Sequence, residues 1–270
     1  MSTAQTVLLG AIAGSTIFLG LPLGRMRGGS ASLRCFLNGL SAGILVFLLF
    51  DILQHAVEPL DEAVLDAAWG HLAAVAFLFV GGFTLGLVGL LYVAKLTRRP
   101  VKVSPGPGAM AVTEALEIRS QALRIGMSIA VGIGLHNFSE GLAIGQAAHA
   151  DEISLAVLLV VGFALHNATE GFGIVGPLAA AGERASWRWL ALAGAIGGGP
   201  TFLGTIIGTR FTSELVFVAF LALAAGAILY VVGELLAAGR RMSWEITLWG
   251  ILAGFVAGLA TELVVVAARA

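Results

Sequence analysis

The chain is dominated by long runs of apolar residues separated by short polar stretches. Eight such runs fall at about 6–24, 36–57, 71–95, 121–147, 153–180, 187–209, 213–237 and 245–267. A helix of roughly 20 apolar residues crosses the hydrocarbon core of a bilayer, and the runs lack the alternating polarity of a transmembrane strand. The pattern therefore predicts an all-α, polytopic membrane protein with eight transmembrane helices and a single transmembrane domain over 1–270.

The composition agrees with this prediction. Hydrophobic residues make up 58% of the 270 residues and charged residues 11%, and the mean hydropathy is +0.96. Soluble domains carry about 25% charged residues, so a water-soluble globule is excluded. A single cysteine, Cys35, excludes an internal disulfide and a zinc cage built from cysteines. The net charge of −1 gives no indication of a nucleic-acid partner, and no glycine-rich loop followed by Lys and Ser or Thr implies ATP.

The charges predict the orientation of the spans. Thirteen of the 15 Lys and Arg residues lie in or beside the odd-numbered connections, which by the positive-inside rule are cytoplasmic, with both termini outside. The longest connection, 97–119, contains a Pro-Gly-Pro-Gly run and is predicted to be a flexible loop. The opposite side is acidic, which either concentrates cations or only keeps that surface soluble.

A repeated polar motif interrupts two of the apolar runs near their centres. Span four reads GIGLHNFSEGLAIG from Gly132, and span five reads GFALHNATEGFGIV from Gly162, so that seven of 14 positions are identical at an offset of 30 residues. The shared residues include every ionisable side chain of both stretches. Charged residues at this depth in a bilayer are costly and usually functional. The motif supplies six candidate metal ligands: His136, Asn137, Glu140, His166, Asn167 and Glu170.

The spacing within the motif favours a metal site. A His and a Glu four residues apart stand on one face of a helix, with Cβ atoms roughly 5–6 Å apart. If the two helices face each other, two imidazoles and two carboxylates converge, and both are ligands of divalent cations. Two Glu anions and one divalent cation sum to zero charge, which removes most of the cost of holding carboxylates in lipid. The two Asn amides can add oxygen ligands.

Other interpretations of the motif remain open at this stage. The His and Glu pairs could form interhelical hydrogen bonds alone, or a proton relay without metal. A metal-sensing or proton-conducting membrane protein without net metal flux is therefore an alternative. An intramembrane zinc hydrolase is a further alternative, but such enzymes commonly carry H-E-x-x-H on one helix. Here the order is H-N-x-x-E twice, which leaves no carboxylate in the position of a general base.

The paired motifs HNFSEG and HNATEG resemble those of the ZIP (Zrt/Irt-like) family of divalent-metal transporters, especially its bacterial branch. The resemblance implies transport of zinc, and also of iron, manganese or cadmium, towards the cytoplasm through the six motif residues. It implies a homodimer in the bacterial inner membrane and an inverted repeat around the central helix pair, which places the site at mid-membrane. The metal is then the cargo, and no prosthetic group or enzymatic activity is implied.

Two departures from the family pattern change the expectation. Ser139 and Thr169 stand where many bacterial members have Pro before the Glu, so both helices should be less kinked. Gly199 stands before Pro200, where the family carries a Glu that ligates a second metal, so we expect a mononuclear site. The run from Gly197 to Pro200 either breaks its helix and exposes carbonyl oxygens, or only allows helices to approach closely.

Weaker candidates lie along the remaining spans. Asp51 and His55 are four residues apart in the outer half of span two, and Glu262 lies at a similar depth in span eight. These three residues either form a way-station for incoming cations or pair structurally. Glu234, near the cytoplasmic end of span seven, either assists release of the metal or pairs with the arginines that follow it.

Overall fold

A computed structural model describes residues 3–25, 30–97, 109–149, 153–210 and 213–269. Within these ranges the chain is helical apart from short turns, and no strand occurs there, which confirms the all-α prediction. The helices are α1 Thr3–Ser15, α2 Ile17–Gly20, α3 Ala31–Leu65, α4 Trp69–Thr97, α5 Ala109–His149, α6 Ile153–Ala181, α7 Trp187–Gly208, α8 Glu214–Met242 and α9 Trp244–Arg269, with a 3₁₀ turn at Leu21–Arg25.

Every predicted apolar run coincides with helix, although the first run is divided between α1, α2 and the 3₁₀ turn. Five helical segments are long and apolar enough to cross a membrane: Ala31–Leu65, Trp69–Val93, Trp187–Gly208, Glu214–Met242 and Trp244–Leu263. In α5 the polar residues of the motif lower the mean hydropathy below that of these five. The count of eight spans and the inverted repeat therefore stay predictions.

The predicted loop 97–119 is partly wrong. Helix α5 begins at Ala109, so that residues 109–119 are helical, while 98–108 lie outside the described residues. The sequence AMAVTEALEIR is rich in Ala, Met, Glu and Leu, which are strong helix formers. Glu114, Glu117 and Arg119 interrupt the apolar residues of this stretch, so that it does not form an apolar run. The helix extends beyond the apolar part of the span by about three turns.

The helices form two bundles. The motif bundle consists of α1, α2, α5, α6 and α7, and the flanking bundle consists of α3, α4, α8 and α9. Within the motif bundle α5 packs along α7, and within the flanking bundle α3 packs along α9 and α4 along α8. The bundles meet along a seam where α5 contacts α8 and where α6 contacts α3 and α9.

Glycines bring the helices of each bundle into backbone contact. A Cβ added at Gly14 would collide with the carbonyl of Gly198, joining α1 to α7 in the motif bundle. In the flanking bundle a Cβ at Gly43 would collide with the carbonyl of Ile251 on α9. Helix α7 runs unbroken through Gly197–Pro200, so close packing is the interpretation of this run that the structure supports. Small residues at helix interfaces are the usual means of close association in membranes.

The seam between the bundles has a different character. A Cβ at Gly132 of α5 would meet the Ala227 Cβ at 3.4 Å and the Ile228 side chain at 3.3 Å. A Cβ at Gly173 of α6 would meet only a Leu45 methyl, at 4.0 Å. Among the described glycines, those that face the seam therefore have side chains as their closest neighbours. Within each bundle the backbones meet at glycine, whereas the contact between the bundles is made by side chains, and at Gly176 of α6 it is close enough that a Cβ would collide with the Ser41 hydroxyl of α3.

The two ends of the molecule carry opposite charge. At one end Arg25 donates a hydrogen bond to the carbonyl of Ala185 at 2.6 Å, and Arg119 pairs with Glu183 at 3.6 Å. We call this the basic end; it holds Arg25, Arg34, Arg119 and Arg240. The other, acidic end holds Glu58, Asp61, Glu62, Asp66 and Glu214. There His71 on α4 contacts Glu214 on α8 at 2.7 Å.

Large apolar side chains cover the outside of the flanking bundle. On α4, Phe77 is 78% exposed and Leu85 is 65% exposed, and on α9, Trp249 is 63% exposed. Soluble monomers rarely expose continuous apolar surfaces of this kind. The exposure fits helices that face lipid.

The backbone contact of α3 with α9 generates a prediction. Gly43→Ala places a methyl group against the Ile251 carbonyl, and overpacking of this kind costs about 1–3 kcal/mol. Gly81→Ala, on α4, is the matched control, because a Cβ there meets nothing within 4 Å. The free energy of unfolding, measured in mixed micelles titrated with sodium dodecyl sulfate, should fall for Gly43→Ala and stay unchanged for Gly81→Ala. Equal stability of the two variants would contradict the close α3–α9 contact.

Candidate metal-binding site

His136 and Glu140 form a buried pair on α5. The His136 Nε2 atom lies 3.3 Å from the Glu140 Oε1 atom, and each side chain is 6% exposed. This is the i, i+4 geometry that the spacing predicts, because α5 continues as one helix through the motif. The absence of Pro at Ser139 is compatible with that continuity.

Glu170 of α6 lies beside this pair. Its side chain is fully buried, and its carboxylate is close enough to Glu140 for the two charges to interact. The Asn137 amide lies against the same Glu170 carboxylate. The two motif glutamates, 30 residues apart in sequence, thus lie within electrostatic range of each other.

The fourth ionisable residue of the motif, His166, lies in α6, but its side chain is outside the described residues. Among the side chains that are described, no three His, Cys, Asp or Glu groups are close enough together to enclose a metal ion. The described part of the cluster therefore consists of the His136–Glu140 pair with Glu170 next to it. Convergence of all four groups on one ion stays a prediction.

The two motif asparagines attach their helices to neighbours. The Asn137 Nδ2 atom donates to the carbonyl of Gly197 on α7 at 3.0 Å, and the Asn167 Nδ2 atom donates to the carbonyl of Ala13 on α1 at 3.0 Å. Neither carbonyl partner could be predicted from the sequence. At the break between α1 and α2, the Ala13 carbonyl accepts from the Thr16 hydroxyl at 2.6 Å as well as from Asn167.

Several buried oxygens near the motif have no hydrogen-bond partner within the described part of the chain. These are the Oδ1 atoms of Asn137 and Asn167, the Glu140 Oε2 atom, and the hydroxyls of Ser139 and Thr201. A buried acceptor without a partner costs about 1–3 kcal/mol. Since each Asn donates through nitrogen, its oxygen remains available as a ligand. Oxygen acceptors beside an imidazole suit a divalent cation.

Asp51 and His55 lie near the motif on the other side of the seam. Both belong to α3, with 3.8 Å between the His55 Nδ1 atom and the Asp51 Oδ1 atom. The charge of Asp51 acts on His136 and Glu140, and so does that of His55. The Asp51 side chain is 16% exposed, whereas that of His55 is 56% exposed. The pair thus lies between the buried motif and the acidic end, with Asp51 mostly buried and His55 exposed to solvent.

Glu262 of α9, another of the weaker candidates, also lies within electrostatic range of the motif, because its charge acts on Glu140. Helices α3 and α9 both belong to the flanking bundle, whereas α5 and α6 belong to the motif bundle. The candidate site therefore lies at the seam between the bundles.

Similarity to known proteins shows the family to which the chain belongs. The sequence model of a family described as ZIP Zinc transporter matches residues 109–260. The chain belongs to the ZIP family. It is accordingly an integral membrane protein that transports divalent metal, and it is not an enzyme.

Relatives of this ZIP transporter are bacterial proteins named Zinc transporter ZupT. The protein of Corynebacterium aurimucosum is 28% identical over 220 residues, which is 80% of each chain. That of Corynebacterium efficiens is 34% identical over 202 residues, or 73% of each chain. That of Chlorobium chlorochromatii is 29% identical over 228 residues, or 81% of each chain.

Gly199 occupies an outward position in this ZIP protein. A Cβ added there would meet nothing within 4 Å. On a helix, positions four and seven residues further along share a face, and Leu203 and Ile206 are 54% and 37% exposed. Asn137 instead contacts the opposite side of α7, at the Gly197 carbonyl. Gly199 therefore supplies no side-chain ligand to the site and does not pack against it.

Proposed function

We propose that this ZIP transporter moves zinc across the bacterial inner membrane towards the cytoplasm, with one ion bound by the motif residues. The proposed ligands are drawn from His136, Asn137, Glu140, His166, Asn167 and Glu170. The observation that carries the proposal is the buried His136–Glu140 pair with the Glu170 carboxylate beside it. Burying two charged carboxylates away from water costs free energy, and a divalent cation bound between them offsets that cost.

The ligand chemistry supports zinc as the main cargo. Zinc is bound in proteins by imidazole and carboxylate in tetrahedral sites, and the motif offers both. The relatives from Corynebacterium and Chlorobium are named as zinc transporters. Because the Asn oxygens can enlarge the ligand set, iron, manganese and cadmium are secondary cargoes in this proposal.

The ligands available on α7 support a mononuclear site in this proposal. Gly199 brings no carboxylate, and its position faces outward. The two motif glutamates then neutralise one divalent cation completely, and a second cation would leave two positive charges uncompensated in a buried site.

The seam supports a mechanism of alternating access. Within each bundle the helices are in backbone contact at glycine, whereas the two bundles meet through side chains. The proposed site lies where the bundles meet. A shift of one bundle against the other would carry the site between the acidic and the basic end. By the positive-inside rule the basic end faces the cytoplasm, so zinc arrives past His55 and Asp51. In this proposal the inverted repeat and a homodimer are retained from the family resemblance.

Metal uptake tests the function directly. Proteoliposomes containing the wild-type protein should accumulate radioactive zinc, and His136→Ala combined with Glu170→Ala should lower the initial rate by about 100-fold or more, since a ligand from each helix is lost. His71→Ala is the matched control, because His71 pairs with Glu214 at the acidic end. Zinc uptake unchanged by the double substitution would contradict the site. Proton flux without zinc flux in the wild type would favour the proton-conducting alternative.

Calorimetric titration tests the number of ions. We expect one tight zinc site per chain, weakened at least about 10-fold by Glu140→Gln, which keeps the shape of the side chain but removes its charge. Glu183→Gln is the control, because Glu183 pairs with Arg119 at the basic end. Two tight sites per chain, both lost in Glu140→Gln, would contradict the mononuclear proposal.

Protons should compete with the metal. Imidazole and carboxylate bind metal only when deprotonated, so zinc affinity falls as the pH falls. At a zinc concentration below saturation, we expect the initial uptake rate to rise by roughly 10-fold between pH 5 and pH 8. The measurement uses equal external and internal pH, so that no proton gradient contributes. A flat profile would contradict ligation by these groups.

A further inference from the structure

The connection between α6 and α7, residues 182–186, is a short loop at the basic end with hydrogen bonds at both of its ends. Gly182 follows α6 with a φ of +71°, the left-handed conformation that favours glycine. The next amide, that of Glu183, donates to the Leu178 carbonyl at 2.9 Å, which ends α6. The Ser186 hydroxyl begins α7 by accepting from the Trp189 amide at 3.1 Å. The loop is therefore a well-defined surface for other groups to contact.

Two arginines from outside the α6–α7 loop lie against it. The Arg25 Nη1 atom, in the 3₁₀ turn that follows α2, donates to the Ala185 carbonyl at 2.6 Å. The Arg25 guanidinium carbon also lies 4.7 Å from the centre of the Trp187 ring. The Arg34 Nη1 atom, on α3, would be 2.6 Å from a Cβ added at Gly182, so this guanidinium lies directly beside the glycine. Both guanidinium groups are thus placed at the same short loop.

Positive charge exceeds negative charge at this loop. Its one carboxylate, Glu183, pairs with Arg119 of α5 at 3.6 Å, while Arg184 and Arg188 add two further positive charges in the loop and at the start of α7. Arg34 is partly buried, yet no carboxylate or carbonyl in the described part of the chain accepts a hydrogen bond from its side chain. A partly buried charge is costly unless it is paired. An anion from outside the chain would offset that cost.

The surroundings of the loop favour a membrane lipid as the source of the anion. Trp187, at the start of α7, is 63% exposed, and tryptophan is enriched at the depth of the lipid headgroups. Further along α7, Ala191 and Ala195 are exposed one turn apart, and Leu192 is 54% exposed. An apolar helix surface therefore runs from the loop towards the middle of the membrane. An anion that carries acyl chains matches both the arginines and this surface, whereas an inorganic anion matches the arginines alone.

We propose that the α6–α7 loop, with Arg25 and Arg34, binds the phosphate group of an anionic phospholipid. Arginine presents its N–H donors in a planar fork that suits phosphate oxygens, and in the described residues Arg25 uses one of its five donors on Ala185. The N terminus of α7 adds partial positive charge at the same place. The cytoplasmic leaflet as the location of the lipid rests on the orientation in the proposed function, whereas lipid binding itself can be measured without transport.

Native mass spectrometry of the full chain in detergent tests the site. The protein is titrated with phosphatidylglycerol and, separately, with phosphatidylcholine of the same acyl chains. We expect the first phosphatidylglycerol to bind more tightly than phosphatidylcholine. Arg25→Gln and Arg34→Gln should each weaken the binding of phosphatidylglycerol about 5-fold, which is what one basic residue contributes to the attraction of anionic lipid. The binding of phosphatidylcholine should stay the same.

A matched control separates this site from the general positive charge of the basic end. Lys95→Gln removes one positive charge at the same end, but on α4, where Lys95 lies 5.5 Å from the ring of Tyr92, so the affinity for phosphatidylglycerol should not change. An equal loss in Lys95→Gln and Arg34→Gln overturns the proposal. Equal affinity of the wild type for both lipids, or unchanged binding in both arginine variants, overturns it as well.

Inorganic phosphate distinguishes the two sources of the anion. Millimolar phosphate should leave the phosphatidylglycerol bound, because it gains nothing from the apolar surface of α7, and displacement of the lipid would assign the loop to a free anion and overturn the lipid site. Monodisperse elution of every variant in detergent shows that each is folded. If lipid binding follows the expected pattern but the wild type does not take up zinc, the proposed function fails and the lipid site stands.

Discussion

Backbone contact at glycine is the constraint on which the rest of this structure depends. Within lipid, apolar side chains gain little by leaving one apolar environment for another, so helices associate by close packing. In both bundles glycine removes the side chain at the point of contact, as at Gly14 against Gly198 and at Gly43 against Ile251. Each bundle is joined internally by backbone contacts for this reason. The contacts across the seam between the bundles are made by side chains instead.

The position of the charged motif follows from that division. Glu140 and Glu170 belong to the motif bundle, whereas Asp51 and Glu262, whose charges reach Glu140, belong to the flanking bundle. If one bundle shifted against the other, as proposed, a cation held between Glu140 and Glu170 would move with the motif bundle and change its acidic neighbours. The asparagines also hold the motif bundle together, since Asn137 and Asn167 donate hydrogen bonds from α5 and α6 to backbone carbonyls of the same bundle. The motif residues are therefore attached to one bundle and lie at its contact with the other.

The sequence predicts the helices and the His136–Glu140 pair because both depend on local periodicity. Apolar runs mark the spans, and a four-residue spacing determines a shared helix face. The start of α5 at Ala109 was not predicted, because Glu114, Glu117 and Arg119 interrupt the apolar pattern of its first three turns. The carbonyl partners Ala13 and Gly197 could not be predicted, since a backbone acceptor has no signature in sequence. The contact of Gly43 with Ile251, 208 positions further along the chain, likewise depends on the tertiary arrangement, and the composition shows only that glycine is abundant.

The seam also differs from the interior of each bundle in the charges that act across it. Where α5 meets α8, the contact is between small and apolar groups, such as Gly132 against Ala227. Elsewhere along the seam, the charges of Asp51 on α3 and Glu262 on α9 act on Glu140 of α5. Because the energy of two charges depends on their separation, any displacement along the seam would change the electrostatic surroundings of Glu140, whereas the glycine contacts inside each bundle would stay the same. His55, next to Asp51 on α3, is 56% exposed, so this side of the motif is open to solvent.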